Sequence, residues 1–342
     1  MKTQTIIGDN FEYANFTEVN ALPYSYTNNY RVEGFLSRVN YDFNEKYFFS
    51  ASYRRDGSSR FYKDVRWGDF WSVGAGWTLD KEKFMAGVEF VDMLKLRASY
   101  GVVGNDDLSS YYPWRATYSI NNNGEPGYAQ SSLGNRELTW ETSNNFDVAT
   151  EFRLFDNRLE GSVEYFHRVS SDLLFSVPQP ISSGIESIDV NAGSMYNKGF
   201  EISLNGVALS KNDFQISING NATFLKNKIT DLPLDPYPTS VYKIEEGHSR
   251  YDFWLRQWYG VNPATGYNLF KADLDLFTFT EGELIEIDGV NYTENIAKSL
   301  YDYSGTSLPI VTGGFGANIN WKNFSLKFNF YYQLGGKFYD KN

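Results

Sequence analysis

The chain has 342 residues and no cysteine, and its 42 acidic and 31 basic residues give a formal net charge of −11. Nucleic-acid phosphates are bound by clustered Lys and Arg, so this balance argues against a general nucleic-acid partner. The lack of cysteine excludes a disulfide framework and a thiolate metal site. Aromatic residues make up 18% of the chain, so rings carry much of its apolar surface.

The first segment of the chain, MKTQTIIGDNFEYANF, holds one Lys and lacks the apolar core of a signal peptide. We expect residues 1–30 to be an incomplete outer loop or a lead-in to the first strand. The sequence contains no run of about 18 apolar residues, as a transmembrane helix would need. Transmembrane β-strands need only about ten residues each and give a weak hydropathy signal. The lack of a long apolar run therefore does not exclude a transmembrane β-barrel.

Ten segments alternate apolar and polar residues with the period of two that is typical of β-strands. In the second segment, Tyr47, Phe49 and Tyr53 share one face, while Ser50 and Ser52 share the other. The ten predicted strands span about 31–43, 46–55, 69–79, 92–102, 141–154, 158–170, 198–208, 213–226, 311–321 and 323–334. We therefore predict an all-β fold, an antiparallel up-and-down meander of about ten long strands.

Short and long connections alternate along the chain. The predicted long loops span about 55–68, 103–140, 171–197 and 227–310. In an array of hairpins this places all short turns at one end and all long loops at the other, as in outer-membrane barrels. Strands of ten or more residues with rings at their ends also fit a bilayer and its interfaces.

Two environments fit the apolar face of such a sheet. In the first, which we favour, rings such as Tyr47 and Phe49 contact lipid, while Ser50, Ser52 and Arg54 face a watery lumen. In the second, the chain is a soluble, aromatic-rich, carbohydrate-binding β-sheet protein with the rings in its core.

Several long phrases occur in the same order as in one known family. They are SRVNYDFNEKYFFSASYRRDGSSRF (37–61), RWGDFWSVGAGWTLDKEKFM (66–85), LKLRASYGVVGNDD (94–107), LTWETSNNFDVATEFRLFDNRLEGSVEYFHRVSSDLL (138–174) and VNAGSMYNKGFEISLNG (190–206). The chain thereby resembles the SusC/RagA-type TonB-linked outer-membrane proteins (TonB-dependent receptors) of the Bacteroidetes.

The resemblance implies a 22-stranded transmembrane β-barrel in the bacterial outer membrane, of which residues 31–342 would be a part. Such proteins import oligosaccharides or peptides beneath a SusD-like surface lipoprotein. TonB powers them through an N-terminal plug domain. Because the sequence shows neither plug nor TonB box, we expect a fragment from the C-terminal half of the barrel, which would reach TonB only through a plug absent from this chain.

The sequence predicts no catalytic, cofactor-binding or metal site. His167 and His248 are too far apart for a recognisable metal motif, and the acidic run from Asp273 to Asp288 lacks the spacing of a calcium loop. We interpret RRDGSSR (54–60) as a turn with ion pairs at the outer rim, with anion or substrate contact as the alternative.

Recognition of a glycan or peptide would use exposed rings in the long loops. The candidate substrate contacts are Trp114, Tyr251, Trp254, Trp258 and Tyr259. The alternative for each of these rings is ordinary packing within the loop.

Overall fold

The computed structural model describes residues 3–6, 13–16, 27–120, 128–185 and 187–340. Ten long strands form one antiparallel sheet, in which every strand pairs with its neighbours in sequence. They are β1 (Val32–Phe43), β2 (Tyr47–Ser58), β3 (Trp67–Thr78), β4 (Val91–Asn105), β5 (Glu141–Leu154), β6 (Leu159–Ser171), β7 (Ser194–Lys211), β8 (Phe214–Asp231), β9 (Val311–Trp321) and β10 (Phe324–Leu334). The predicted all-β meander is confirmed, and the sheet is open at β1 and β10.

Four long connections, which we call the outer loops, leave the same end of the sheet, because the strands are antiparallel and consecutive. They are the described residues of 59–66, 106–140, 172–193 and 232–310. The opposite, short-turn end is built on residues in the left-handed region, including Asn44 (φ 54°), Asn157 (φ 59°) and Asn212 (φ 50°). Asn tolerates this region better than most residues with a Cβ. The connection between β3 and β4 adds two 3₁₀ turns, Leu79–Lys81 and Lys83–Met85.

Strands reach further into the outer-loop end than the alternation predicts. The second strand was expected to end near residue 55 but continues to Ser58, and the seventh begins at Ser194 rather than near 198. Ladder hydrogen bonds join backbones and do not depend on side-chain polarity, so pairing continues after the apolar pattern has ended. The first outer loop is therefore shorter than the predicted 55–68.

The outer loops contain sheets of their own, which the sequence analysis treated as loops. Thr117–Ile120 pairs with Tyr128–Ser132, and Leu174–Pro178 with Ser187–Asn191. The longest loop holds one sheet of Tyr237–Thr239, Tyr242–Ile244, Asp252–Arg256 and Tyr301–Thr306, and another of Trp258–Val261, Asn268–Lys271, Ile285–Ile287 and Val290–Thr293. Two 3₁₀ turns, Ile181–Ser183 and Ile296–Lys298, complete these loops.

Of the predicted lead-in 1–30, the structure describes residues 27–30 and a hairpin of Thr3–Ile6 with Tyr13–Phe16. The rest of that segment lies outside the described residues. In the part of the chain that the structure describes, no helix has the length and apolar character needed to cross a bilayer.

The most deeply buried cluster joins the sheet to two outer loops. Phe70 of β3 contacts Trp140 with ring centroids 5.2 Å apart, and Phe61 lies 5.4 Å from the same ring, with Leu138 beside them. By register Phe70 shares its face with Arg54, so the cluster lies on the polar side of the sheet. Gly104 is required here, because a Cβ at that position would lie 2.0 Å from the Phe70 ring.

Candidate functional site

The apolar face of the sheet carries two rows of aromatic rings. At the short-turn end Tyr41, Phe43, Tyr47 and Trp77 stack in series, with centroids 6.4–6.5 Å apart. Near the outer loops Phe35 stacks on Trp67, and Trp71 contacts Tyr100. These rings are largely exposed.

The spacing of the two rows matches the apolar thickness of an outer membrane. Trp67 and Trp77 lie at opposite ends of β3, about 33 Å apart at about 3.3 Å per residue. A strand tilted by about 40° would span about 25 Å of membrane normal over that length, which is the height of the apolar band in such barrels. The Arg55–Asp69 ion pair lies on the same face between Trp67 and Trp71, so this end of the face is at headgroup level. The two rows therefore have the placement of interfacial girdles.

Glu82 anchors the row of rings at the short-turn end. Its carboxylate accepts hydrogen bonds from the Tyr47 hydroxyl (2.6 Å), the Trp77 indole N–H (3.2 Å) and the Lys46 ammonium (3.3 Å). The Tyr47 bond, followed by the Trp77 bond, holds the pKa of Glu82 below its usual value. Rings that each combine an apolar body with a satisfied polar tip suit the headgroup level of a membrane.

The opposite face of the sheet carries charge and hydroxyl groups. Arg97 donates to Glu151 at 2.9 Å and also to Glu164, so one guanidinium links three strands. The hydroxyls of Ser52 and Ser72 lie 2.6 Å apart across β2 and β3. Paired charges of this kind are suited to the wall of a hydrated lumen and not to contact with lipid.

The arginines of the RRDGSSR segment form ion pairs, as predicted, but the predicted turn is wrong, because residues 54–58 continue strand β2. Arg54 contacts Asp56 at 2.7 Å, Arg55 contacts Asp69 at 3.7 Å, and Arg60 contacts Asp107 at 3.0 Å. Each arginine in this segment is therefore matched by an aspartate, which leaves little charge free for an anionic ligand.

Trp254 lies in a packed network within the longest outer loop. Its ring meets Tyr303 edge-on at 4.9 Å and carries the Lys243 ammonium 4.2 Å from its centroid. Tyr303 in turn stacks on His248 at 3.8 Å and donates to Glu245 at 2.6 Å. Burial and this bond raise the pKa of Tyr303, and the Lys243 hydrogen bond lowers that of Glu245.

Trp258 and Tyr259 are more accessible than Trp254. Trp258 is 61% exposed and donates its indole N–H to Asn268 at 3.2 Å. Tyr259 is half exposed and lies 4.3 Å from Tyr292. Their placement leaves ring surface available to a ligand, so both stay predicted contacts.

Tyr251 and Trp114 each line a cavity. Tyr251 borders one of about 490 Å³ at the base of two outer loops, whose lining includes Leu173, Phe175, Met195, Tyr237 and Arg250. Trp114 belongs to a different outer loop, where it contacts Tyr62 at 5.6 Å and lies under the Arg115 guanidinium. The five candidate rings are thus distributed over separate parts of the outer loops.

A buried amide fastens the longest outer loop to the sheet. The Asn227 side chain accepts from the Ser249 hydroxyl (2.9 Å) and the Arg250 amide (3.0 Å), and it donates to Asn197 of β7 (2.9 Å). This side chain and the backbone hydrogen bonds of Ile229 with Gly247 and His248 hold the segment that contains His248 and Tyr251 against the mouth of the sheet.

Asn227→Ala is expected to release this segment, because buried partners lose their hydrogen bonds at a cost of about 1–3 kcal/mol. Amide hydrogen exchange of residues 247–252 in the full-length protein measures the effect. The control Asn205→Ala removes an exposed amide from the same face of β7 and should change nothing. Equal exchange in both variants would contradict the anchoring role.

The acidic residues of the longest loop serve its internal structure. Asp273 is buried and accepts from the backbone amides of Asp275 and Leu276 at 3.2 and 3.1 Å. Asp288 and Gly289 form the left-handed turn of a hairpin. Among the described residues, no group of three or more His, Asp or Glu side chains is arranged to hold a metal ion.

Glu283 gives this loop a dependence on pH. The Lys298 ammonium, which donates to Glu283 at 2.8 Å, and the Thr280 amide lower the pKa of Glu283 from 4.5 to about 2. A depressed pKa in the folded state stabilises the loop above about pH 4.5, and this stabilisation is lost as the pH falls towards 2. At pH 4.5 the wild-type protein should resist pepsin cleavage near residue 283 better than the Glu283→Gln variant does. At pH 2 the two proteins should be cleaved at equal rates. A difference that does not depend on pH would contradict the pairing.

Comparison with known proteins identifies the family. Residues 3–260 match the family model described as TonB dependent receptor-like, beta-barrel. The chain belongs to the family of TonB-dependent receptor β-barrels. This is a family of outer-membrane receptors and not of enzymes, so the soluble alternative is wrong.

The similarity to individual proteins covers most of this chain but a smaller part of each relative. The chain is 31% identical to TonB-dependent receptor P3 of Formosa agariphila over 331 residues, which is 92% of this chain and 33% of that protein. It is 30% identical to TonB-dependent receptor SusC of Bacteroides thetaiotaomicron over 242 residues, or 66% of this chain and 24% of SusC. The chain thus spans about a quarter to a third of the length of these relatives.

The fold is also similar to a solved structure of the RagAB peptide transporter. The TM-score is 0.81 at 29% identity, over 93% of this chain and 35% of the other. Together with the SusC similarity, this confirms the SusC/RagA-type resemblance. The similar region of that chain is about a third of its length, in agreement with a sheet that is open at β1 and β10.

Proposed function

We propose that this chain forms part of the wall and the outer loops of a TonB-dependent importer that carries oligosaccharides or peptides across the outer membrane. The observation that carries the proposal is the two-sided sheet, with aromatic rows on one face, ion pairs such as Arg97–Glu151 on the other, and structured loops at one end. Such a sheet encloses a polar passage when further strands pair with β1 and β10.

The proposal includes two partners. A SusD-like surface lipoprotein would cover the outer loops, and TonB would supply energy through a plug domain in the lumen. The similarity to SusC and to the RagAB peptide transporter supports this assembly. The charged inner face supplies a polar surface on which a plug can pack.

Uptake by living cells tests the proposal. A strain in which the gene is deleted should lose uptake of fluorescent oligosaccharides or of fluorescent peptides, and the wild-type gene should restore it. A variant with residues 233–308 replaced by a short Gly-Ser linker should reach the outer membrane and fail to restore uptake. Undiminished uptake of both ligand classes by the deletion strain would overturn the proposal.

A further inference from the structure

One cavity in the outer loops is lined by two arginines that pair with no carboxylate among the described residues. Its volume is about 630 Å³, and its lining consists of Trp114, Arg115, Ala116, Leu133, Gly134, Asn135, Arg136 and Glu137. The two arginines come from opposite sides of the Thr117–Ser132 hairpin, so the fold brings together residues that are distant in sequence. We call this space the Arg115–Arg136 cavity.

The arginines of this cavity are held by rings and not by carboxylates. The Arg115 guanidinium lies 4.5 Å from the Trp114 ring and 4.9 Å from Tyr112, and Arg136 lies 5.0 Å from Tyr62. Among the described residues, neither guanidinium has a carboxylate within 4.0 Å. Stacking uses the face of a guanidinium and leaves its N–H edge free for an acceptor.

These arginines differ from those of the neighbouring rim. Arg54, Arg55 and Arg60 each contact an aspartate, so their charge is satisfied within the protein. In a chain with a net charge of −11, two adjacent arginines without such a partner form an unusual local excess of positive charge. Glu137, which also lines the cavity, opposes this excess only in part.

Trp114 also carries a buried hydrogen-bond donor. The indole nitrogen of Trp114 is buried and has no acceptor among the described residues. Buried polar groups are nearly always satisfied by protein, water or ligand. Because this nitrogen is closed to solvent, an acceptor that enters the cavity meets the guanidinium edges, and it would reach the Trp114 N–H only after that side chain moves.

We infer that the Arg115–Arg136 cavity binds the carboxylate of an acidic sugar, so that the imported ligand is an oligosaccharide that contains uronic acid. This inference rests on the proposed function and deepens it. Arginine recognises carboxylates through paired hydrogen bonds. The lining offers little aliphatic surface for the side chains of a peptide, in contrast to the cavity that contains Leu173, Phe175 and Met195.

Calorimetric titration of the full-length protein in detergent tests the inference. The probes are trigalacturonate and an alginate trisaccharide, with neutral maltotriose and the tripeptide triglutamate for comparison. At least one acidic trisaccharide should bind, at least about tenfold more tightly than maltotriose and triglutamate. Arg115→Gln and Arg136→Gln should each weaken binding of the acidic sugar about tenfold, and Glu137→Gln should tighten it.

A matched control and a conservative variant separate charge recognition from loop folding. Arg158→Gln removes an exposed arginine at the short-turn end and should leave binding unchanged. Arg115→Lys keeps the charge and should recover part of the lost affinity. Tighter binding of triglutamate, equal binding of maltotriose, or no effect of Arg115→Gln and Arg136→Gln would overturn the inference. Loss of uptake in the deletion strain would still support the proposed function in that case, so the two failures are distinguishable.

Discussion

Replacing Ala51 by Arg is expected to destabilise the protein in a bilayer by about 2–4 kcal/mol, which is the cost of a cation on the lipid face near the membrane midplane. Ala51 lies on the ring-bearing face and pairs with Val39 and Val73, midway between the two aromatic rows. The residues directly opposite it on both neighbouring strands are valines, which give an arginine there no polar partner. Urea unfolding of the full-length protein in lipid vesicles measures the loss.

The control for this experiment is the next residue along β2. Ser50 lies on the opposite face and borders an open space of about 380 Å³ whose lining includes Asn40 and Asp42. Ser50→Arg places the same cation in a hydrated space that Asp42, Lys95 and Arg97 also line, and should cost less than about 1 kcal/mol. If Ser50→Arg destabilised the protein as strongly as Ala51→Arg, the assignment of faces would be wrong.

Replacing Phe61 by Ala is expected to have a comparable effect at the outer-loop end, of about 3–5 kcal/mol. The Phe61 side chain is completely buried against Trp140, and a smaller residue would leave a cavity beneath the first outer loop. The loop amides that bond locally, such as those of Phe61 and Val65, should exchange with solvent on the order of 10²–10³ times faster.

Phe84→Ala is the matched control for Phe61→Ala. The Phe84 ring is 65% exposed and lies near Trp77 at the short-turn end. Its removal should leave exchange in residues 59–66 unchanged. If Phe61→Ala gave the same exchange as the control, the buried cluster would not be what holds the first outer loop.

The sheet could be predicted from the sequence because its two faces meet different solvents. A period of two persists along every strand, and it ends abruptly at the short turns, so the predicted bounds of Glu141–Leu154 and Val311–Trp321 agree with the structure. At the outer-loop ends of β2, β4, β7 and β8 the alternation fades while backbone pairing continues, and the predicted strands are too short there.

The small sheets of the outer loops were missed, although one had a recognisable signal. In IEIDGVNYT (285–293), Asp288-Gly289 stands between alternating residues, which is typical of a two-residue hairpin. Asp288 also ends the acidic run that begins at Asp273, and that run lies in the predicted long loop 227–310. Turn chemistry at this position was a better guide than local charge.

The arrangement of the outer loops could not be predicted, because it depends on contacts between distant residues. Asn227 and Ser249 come together through the pairing of β8 with the loop that follows it, and Arg115 and Arg136 through a hairpin between them. Local patterns carry no information on such contacts. The candidate rings were chosen by residue type, and type alone does not distinguish the packed Trp254 from the exposed Trp258.

Residue-by-residue accessibility along β2 in a bilayer is the most direct measurement of the central claim, that the rings of this sheet contact lipid. These 342 residues contain no cysteine, so single cysteines from Tyr47 to Arg54 in the full-length protein can carry nitroxide labels without competing sites in this region. Labels at 47, 49, 51 and 53 should contact membrane-dissolved oxygen, and labels at 48, 50, 52 and 54 a water-soluble relaxation agent. Equal access of the water-soluble agent to both sets would contradict the claim.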